Sequence, residues 1–377
     1  MRPKTSFFIY CFLIIGLFAS CQSKDTFDWN AGLSGPKNYP SGAPFVEYFY
    51  QGKSIAGASS STGADQGWGI TSGGYVGGDQ YKPVPDSIAV KWVCSVDNLV
   101  YKDGFKLPRE KMLELFNRKV IDSYGDQNDY SVIVAGMAPG GNITVWMQGG
   151  NASTEIAKFK ILKGEEDQNI DNSYKKKEIK SWGHYLTYWK IHGIPYSVWE
   201  KGEKDYDYNI GFSSEEEYKF ALTFYAKDGS LFQIDNKSSF LPWKDRFVSY
   251  PKNSDFLSRK KKLPVQIHIQ WYSQDELRWF NGDIIMPQNL EKKFNSRKFD
   301  KMIISIKKDS LDKVIGDIHL INNSKNEKIM SFQLGVYNEH LKRLMSPEYS
   351  LPKDFVFPKW QGREPIEFPE LEYWQEK

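Results

Sequence analysis

Cys21 is the residue whose surroundings indicate its chemistry most clearly. Small residues, Ala19 and Ser20, stand directly before it, and the uncharged apolar run Phe7–Ala19 follows a short basic start. That run suits a signal peptide and is shorter than the roughly 20 residues of a membrane-spanning helix. Small residues before a cysteine are typical of the site where a bacterial signal peptide is removed and the thiol is acylated. We predict a signal peptide over residues 1–20 and a lipid group, including palmitate, on Cys21; the alternative is an ordinary secretory signal with an incidental cysteine.

The predicted anchor has consequences for location. Several acyl chains hold a protein stably on a membrane, whereas one chain gives only marginal binding. Gln22, the second residue after cleavage, is not the aspartate that retains such proteins in the inner membrane. We therefore expect a protein tethered to the outer membrane through residues 21–26, on its periplasmic or its surface-exposed side.

Aromatic residues are the other conspicuous chemistry: 12 Trp, 22 Tyr and 24 Phe make up 15% of the chain. Exposed Trp and Tyr side chains can stack on sugar rings or fill pockets of a protein partner, although most aromatics in strands pack in cores. Three tryptophans are candidate binding residues: Trp29, Trp68 between two glycines, and Trp146 opposite an apolar strand face.

Two arrangements could hold a metal ion. His184 and His192 lie eight residues apart in an aromatic stretch, which is weak evidence for a ligand pair. Residues 205–216 place Asp205, Asp207 and Glu216 at the spacing of a calcium loop, but Ile210 stands where that loop requires glycine. Because residues 206–212 also alternate between aromatic or apolar and polar types, a strand is favoured, and we predict no metal site.

Catalytic and cofactor motifs are not apparent. The sequence has no Gly-x-Ser-x-Gly elbow, no His-Glu-x-x-His pair and no phosphate-binding glycine loop, so we predict no catalytic residue and no cofactor. A net charge of +3 gives little reason to expect nucleic acid as a partner. The tripeptides at Ser87 and Ser310 match a short O-glycosylation pattern that also arises by chance.

Strand signals dominate the segments that must position these residues. Residues 86–94 alternate apolar and polar side chains, and residues 130–135 and 142–147 form a predicted hairpin around Pro139-Gly140-Gly141. A helix is predicted after Pro108, because Met112, Leu113 and Phe116 recur at helical spacing.

The same order of elements occurs twice. Aligning the chain with itself at an offset of 179 residues gives four identities without a gap: Pro85/Pro264, Ile88/Ile267, Trp92/Trp271 and Pro108/Pro287. The second copy continues with a helix carrying Leu290 and Phe294, and with strands over residues 301–306 and 314–321. We predict a mainly β (α+β) fold of two related antiparallel β-rich units, each with one short helix, after the signal peptide.

Predicted boundaries follow from this repeat and from composition. After the signal peptide and the tether come a first unit (27–163), a charged linker (164–180), a second unit (181–335) and a C-terminal strap rich in proline and aromatics (336–377).

Several landmarks also resemble a known family. The segments at Phe27–Pro40, Gly67-Trp68-Gly69, Pro83–Ser95 and Ala138–Trp146 are similar, in order and spacing, to bacterial lipoproteins of domain of unknown function 2931. The resemblance implies a lipid-anchored envelope protein. It supplies no catalytic residues, because the family has no established activity.

The functional expectation is therefore a non-enzymatic binding or interaction role at the cell envelope. Glycan binding by a surface lipoprotein and toxin binding by an immunity-type lipoprotein are the alternatives, and an uncharacterised hydrolase is the third. Cys94, which shares an apolar strand face with Trp92, is predicted to be a buried free thiol.

Overall fold

The computed structural model describes residues 25–166 and 183–336, apart from positions 73, 98, 123–124, 215–217, 235–247, 251–252, 273–278, 309–310 and 312. The signal peptide, Cys21, most of the charged linker and nearly all of the C-terminal strap lie outside these residues. Within them, no helix has the length and apolar character needed to cross a membrane.

Twenty-four strands and four helices build the described chain. The first unit contains β1 (Thr26–Asp28), β2 (Asn30–Ser34), β3 (Ser41–Tyr50), β4 (Lys53–Ser59), β5 (Tyr75–Gly78), β6 (Tyr81–Pro83), β7 (Ser87–Cys94), β8 (Leu99–Lys106), α1 (Arg109–Phe116), β9 (Lys119–Ile121), β10 (Gln127–Asp129), β11 (Val132–Ala138), β12 (Asn142–Gly149), β13 (Ala152–Lys160) and β14 (Glu165–Glu166). Next come α2 (Gly183–His192) and α3 (Tyr196–Lys201). The second unit contains β15 (Tyr206–Ser214), β16 (Tyr218–Ala226), β17 (Leu231–Ile234), β18 (Val248–Tyr250), β19 (Asn253–Lys261), β20 (Pro264–Tyr272), β21 (Trp279–Ile285), α4 (Leu290–Arg297), β22 (Lys301–Lys308), β23 (Val314–Asn322) and β24 (Lys325–Val336).

The first unit is built on two sheets. One has the order β13-β12-β11-β2, with β2 parallel to β11, and the other has the order β14-β8-β7-β3-β4-β5. Apolar side chains of both sheets form one core, and the Tyr48 hydroxyl on β3 donates a hydrogen bond to the Ile133 carbonyl on β11, at 3.0 Å. The predicted strand at 86–94 and the predicted hairpin are confirmed as β7 and as β11–β12.

The second unit repeats this pairing order. Its strands follow one another as β24-β23-β22-β15 and as β21-β20-β16-β17, which is the order of β13-β12-β11-β2 and of β8-β7-β3-β4. β15 is parallel to β22, as β2 is to β11. Pairing between β21 and β24 joins the two sets into one ten-stranded sheet. The predicted fold of two related, mainly antiparallel units is confirmed.

The register of the strands is repeated as well. Trp92 lies opposite Tyr101 in the first unit, and Trp271 lies opposite Phe280 in the second, so both pairs keep the offset of 179. The ring centroids are 5.0 Å apart in the first pair and 5.2 Å in the second, with tilted planes in both. Matching register fixes which side chains face the core, because a slip by one residue would reverse every face.

A lysine over an aromatic ring is repeated at the same offset. The Lys82 ammonium donates to the backbone carbonyl of Trp29 and lies 5.0 Å from its ring centroid. The Lys261 ammonium donates to the carbonyl of Tyr208 and lies 4.4 Å from its ring centroid. A cation–π contact and a charged hydrogen bond thus join β6 to the residue before β2 in the first unit, and β19 to β15 in the second.

The gapless match ends after the helix because the first unit carries an extra hairpin, β9–β10. Asn30 pairs with Val132, whereas Asn209 pairs with Lys301, so the offset falls from 179 (209 − 30) to 169 (301 − 132). In the second unit three residues lead from α4 directly to β22.

Helices α2 and α3 pack on the first unit, although they follow the predicted linker. Four of their aromatic side chains belong to the first core: Tyr188, Trp189, Tyr196 and Trp199. Trp189 Nε1 also donates to the Asn38 carbonyl, at 2.6 Å. The sequence prediction began the second unit at residue 181, whereas the packing joins residues 188–199 to the first unit, because these aromatic faces are buried there.

Candidate functional site

A cavity of about 780 Å³ opens where the two units meet. Its walls come from the segment between β4 and β5, from strands β12 and β13, from α3 and from the β16–β17 turn. Three tryptophans line it, Trp68, Trp146 and Trp199, so the structure brings two of the three predicted binding residues together in one place.

The rings of Trp68 and Trp146 meet edge to face, with centroids 4.9 Å apart and planes at 87°. Trp68 lies in a tight turn that requires Gly67 and Gly69, whose φ angles of +131° and +83° favour glycine. Trp146 lies beside the irregularity in the β12–β13 pairing between Val145 and Trp146. The two side chains are 9% and 7% exposed, so parts of their rings form an apolar wall of the cavity.

Gly136 makes room for this ring pair. A Cβ atom added there would lie 2.4 Å from the Trp146 ring and 2.8 Å from the Trp68 ring, which is far inside van der Waals contact. The side chain of any other residue at position 136 would therefore displace at least one of the two rings.

Polar side chains continue the wall beyond the tryptophans. Gln148 Nε2 donates to Ser153 Oγ at 2.7 Å, and Thr71 donates to Gln148 Oε1. These groups present hydroxyl and amide hydrogen-bonding atoms beside the apolar ring surface. Lys158 and Glu155, which form an ion pair at 3.3 Å, line the same cavity.

Charged groups meet on the opposite wall. Asp228 in the β16–β17 turn has a side chain only 3% exposed and forms an ion pair with Lys262. The backbone N–H of Asp228 donates to Glu203 Oε2 at 3.0 Å, and Trp199 Nε1 donates to the Asp228 carbonyl at 2.8 Å. The turn is thus fixed to α3 and to the segment that follows it.

Glu203 is the group in this cluster whose ionisation is most altered. Burial, together with the nearby Asp228 carboxylate, raises the pKa of its carboxyl to about 7, against the lowering by the Asp228 backbone N–H and by Lys262. Near neutral pH this carboxyl can therefore both donate and accept a hydrogen bond at the cavity wall.

The same turn connects the two units. The Gly229 carbonyl accepts hydrogen bonds from the backbone N–H groups of Lys37 and Trp68, each at 2.9 Å. Gly229 has a φ of +77°, and an added Cβ would lie 2.5 Å from Pro36. A glycine is therefore required both by the turn and by the close approach, and this contact fixes the Trp68 segment relative to the second unit.

Trp29, the third predicted binding residue, lies elsewhere. Its side chain is fully buried and packs edge to face on Tyr48 at 5.4 Å. It belongs to the core and to the contact with Lys82 described above, so it has no surface to offer to a ligand. Its counterpart in the second unit is Tyr208.

The other residues singled out in the sequence either make contacts within the fold or lie outside the described residues. The Ser87 hydroxyl donates to Asp86 Oδ1 at 2.7 Å, and Ser310 and Glu216 lie outside the described residues. His192 Nε2 lies 2.8 Å from Gln266 Oε1, and burial lowers the pKa of this imidazole to about 4. The side chain of His184 is outside the described part. No group of three metal-ligating side chains occurs among the residues that the structure describes.

The segment proposed as a calcium-loop alternative is a strand, β15, as its alternation predicts. Cys94 is a buried free cysteine, as predicted. Burial raises the pKa of its thiol well above its ordinary value, and the Asp97 carboxylate, 3.2 Å from Sγ, raises it further.

Sequence reasoning missed Glu203, Asp228 and Lys262. These residues lie in three different segments, and no motif spacing connects them. Only the turn that places Asp228 between the other two brings them together, so the sequence carries no local signal for this cluster.

Residues 19–197 match the model of a family described as "Protein of unknown function (DUF2931)", which confirms the predicted similarity to domain of unknown function 2931. None of the curated proteins matches the chain. Two crystal structures, of AofleA from Arthrobotrys oligospora and of a triple arginine-to-alanine mutant of it, align at 10% identity over 83% of this chain and 86% of theirs. Their TM-scores of 0.13 and 0.14 carry no argument about the fold or the function.

Proposed function

We propose that this DUF2931 protein is a lipid-anchored protein of the bacterial cell envelope that binds glycans, without chemical turnover, in the cavity between its two units. The observation that carries the proposal is the convergence of Trp68 and Trp146 on one cavity wall beside hydroxyl and amide groups. Aromatic surface next to hydrogen-bonding side chains is the combination that a sugar ring requires, since its C–H faces are apolar and its hydroxyls are polar.

The charges of the cavity indicate which glycans fit. The lining side chains of the described residues include four carboxyl groups, Glu155, Glu203, Asp205 and Asp228, and two ammonium groups, Lys158 and Lys262. This excess of carboxyl groups disfavours uronic acid and sulfated polysaccharides. Neutral glycans and amino sugars are the expected ligands.

The membrane anchor is supported by the sequence at Ala19-Ser20-Cys21, which follows the apolar run Phe7–Ala19. Only Gln22, Ser23 and Lys24 separate Cys21 from the first described residue, Asp25. Replacing Cys21→Ser should block processing and release the protein from the membrane fraction. Unchanged mass and unchanged membrane partitioning of this variant would contradict the anchor.

Calorimetric titration tests the binding site. The chain carrying Cys21→Ser should release heat with chito-oligosaccharides or cello-oligosaccharides and none with alginate. Adding Ser153→Trp should abolish the heat, because Ser153 is exposed on the cavity wall and a large ring there blocks the cavity without entering the core. Ser324→Trp, in an exposed turn of the second unit, is the matched control and should bind normally. Binding that survives Ser153→Trp unchanged would contradict the assigned site, and a lack of binding by both neutral series would contradict the ligand class.

A glycan hydrolase is a second candidate, favoured by one specific observation, the raised pKa of Glu203 beside the Asp228 carboxylate. A carboxyl that is protonated near neutral pH is suited to general acid catalysis. Incubation with the same oligosaccharides, followed by measurement of new reducing ends, separates the two candidates. Turnover that Glu203→Gln abolishes would establish the hydrolase and overturn the binding role, whereas intact oligosaccharide after binding supports it.

A further inference from the structure

Four large apolar side chains are exposed near one edge of the first unit. Tyr75 and Val76 on β5 are 79% and 52% exposed, Tyr81 on β6 is 58% exposed, and Phe45 on β3 is 41% exposed. We call these four residues the aromatic edge. Side chains of this size in one region of a surface indicate a contact with another apolar phase.

Phe45, Tyr75 and Tyr81 form the continuous part of the aromatic edge, whereas Val76 points to the other face of β5 at the margin of the sheet. Phe45 lies opposite Ser59, and Ser59 lies opposite Tyr75, so the three side chains stand in one row on the same face of the six-stranded sheet. Phe45 and Tyr81 also line one shallow groove of about 460 Å³. β5 is the outermost strand on this side of the sheet, so its exposed residues are at the periphery of the unit.

The described chain begins beside this edge. β1 pairs with β6, placing Asp28 opposite Tyr81 and Thr26 opposite Pro83, which lines the groove. The Asp25 carbonyl accepts a hydrogen bond from the Val84 N–H at 3.3 Å. Cys21 precedes Asp25 by four residues, a reach of at most about 14 Å for an extended chain.

We propose that the aromatic edge rests on the lipid surface that holds the acylated Cys21. This inference relies on the lipid anchor in the proposed function. The short tether keeps the start of β1 close to the bilayer, and β1 leads along β6 to Tyr81, which shares the groove with Phe45. Tyrosine is enriched at membrane interfaces because its ring enters the apolar layer while its hydroxyl stays hydrated. The anchor then fixes an orientation for the folded units and not merely their proximity to the membrane.

Site-specific fluorescence tests the contact. The full lipidated chain carrying Tyr75→Cys is labelled with an environment-sensitive nitrobenzoxadiazole probe, since the native Cys94 is buried and the Cys21 thiol is acylated. The protein is placed in vesicles of phosphatidylethanolamine and phosphatidylglycerol that contain nitroxide-labelled lipid. The matched control is Leu162→Cys, which is 86% exposed and lies near β14, at the opposite edge of the same sheet. Five strand spacings of about 4.8 Å place that edge roughly 24 Å from β5.

We expect nitroxide quenching of the probe at position 75 to be several-fold stronger than that of the probe at position 162. If the protein floats with the vesicles and both probes are quenched equally or not at all, the contact is overturned while the anchor stands. If the lipid-free protein shows a concentration-dependent blue shift of the Tyr75 probe, a second copy covers the edge and the lipid contact is overturned. If the wild-type chain does not float with vesicles, the anchor fails together with this inference.

Discussion

The first and the second unit share their strand order and register, yet among the described residues only the first places tryptophans on the cavity. Trp92 and Trp271, which follow the repeat, lie in the two cores, and Lys82 and Lys261, which also follow it, each cover an aromatic ring. Two residues that break the repeat, Gly136 and Trp146, meet at the cavity wall. The comparison therefore separates the positions that make the fold from those available for function.

Strand register identifies the positions that differ. Ser34 pairs with Gly136 in the first unit and Ser213 pairs with Ser305 in the second, so Ser305 is the counterpart of Gly136. The pairing of β12 with β13 shifts in register just before Trp146, and the pairing of β23 with β24 shifts just before His319. Trp146 and His319 are therefore counterparts. The glycine that admits the two rings and one of the rings are both specific to the first unit.

The β3–β4 turn and the corresponding β16–β17 turn also differ between the two units. In the first unit the turn between β3 and β4 is exposed at Gln51 and Gly52. In the second unit the turn between β16 and β17 is inserted against the first unit, with Asp228 and Gly229 buried. One repeated element thus serves as a free turn in one unit and as the inter-unit contact in the other.

The largest effect is expected from the shared core. Trp92→Ala and Trp271→Ala should each lower the free energy of unfolding by about 3–5 kcal/mol, because both remove a buried indole and leave a cavity. Urea unfolding followed by circular dichroism measures the change. Costs that differ by more than about 2 kcal/mol would show that the two positions are not equivalent in packing.

A pH dependence is expected where the buried turn meets Glu203. Because the folded pKa is raised from 4.5 to about 7, this carboxyl contributes stability below pH 4.5 that is lost as the pH rises through 7. The contribution is at most about 3 kcal/mol. Glu203→Gln should remove this dependence from the unfolding free energy between pH 4.5 and 8, and the exposed control Glu165→Gln should keep it. An unchanged profile in Glu203→Gln would contradict the assignment.

A smaller effect is expected from the glycine that distinguishes the units. Gly136→Ala should lower the free energy of unfolding by about 1–3 kcal/mol, because the added Cβ collides with the rings of Trp146 and Trp68. The same variant should weaken glycan binding. Ser305, at the counterpart position, already carries a Cβ atom. Ser305→Ala should therefore lower the free energy of unfolding by less than about 1 kcal/mol. Thermal unfolding of both variants checks the difference. Equal costs would mean that the ring pair is not tightly packed against Gly136.

The smallest effect is expected in the hairpin that only the first unit has. Lys119 and Asp129 form an ion pair between β9 and β10, and their side chains are 53% and 67% exposed. Asp129→Asn should change the unfolding free energy by no more than about 0.5 kcal/mol at physiological salt. A change above about 1 kcal/mol, measured by urea unfolding, would show that the extra hairpin is integral to the unit.

Period-2 alternation predicted β7, β12 and β15, and Pro108 predicted the start of α1, because these signals are local. The offset of 179 predicted the repeat, since Trp92 and Trp271 face the core in the same register. The cavity itself was not predicted from the sequence, although two of the three candidate binding residues, Trp68 and Trp146, line it. Glycines around Trp68 indicated a loop, but burial of Trp29 depends on Lys82 and Tyr48, which are distant in sequence. The packing of α2 and α3 on the first unit likewise depends on contacts, such as Trp189 with Asn38, that no spacing records.

Tryptophan emission during glycan titration tests whether the residues that depart from the repeat form the binding site. Wild-type chain, Trp146→Ala and the counterpart variant His319→Ala are titrated with the neutral oligosaccharide that gives the largest calorimetric signal, after circular dichroism has verified folding. We expect an emission shift in the wild type and in His319→Ala, and its loss together with at least tenfold weaker binding, about 1.4 kcal/mol, in Trp146→Ala. Equal affinity of Trp146→Ala and His319→Ala for the oligosaccharide would contradict the assignment of Trp146 to the binding site.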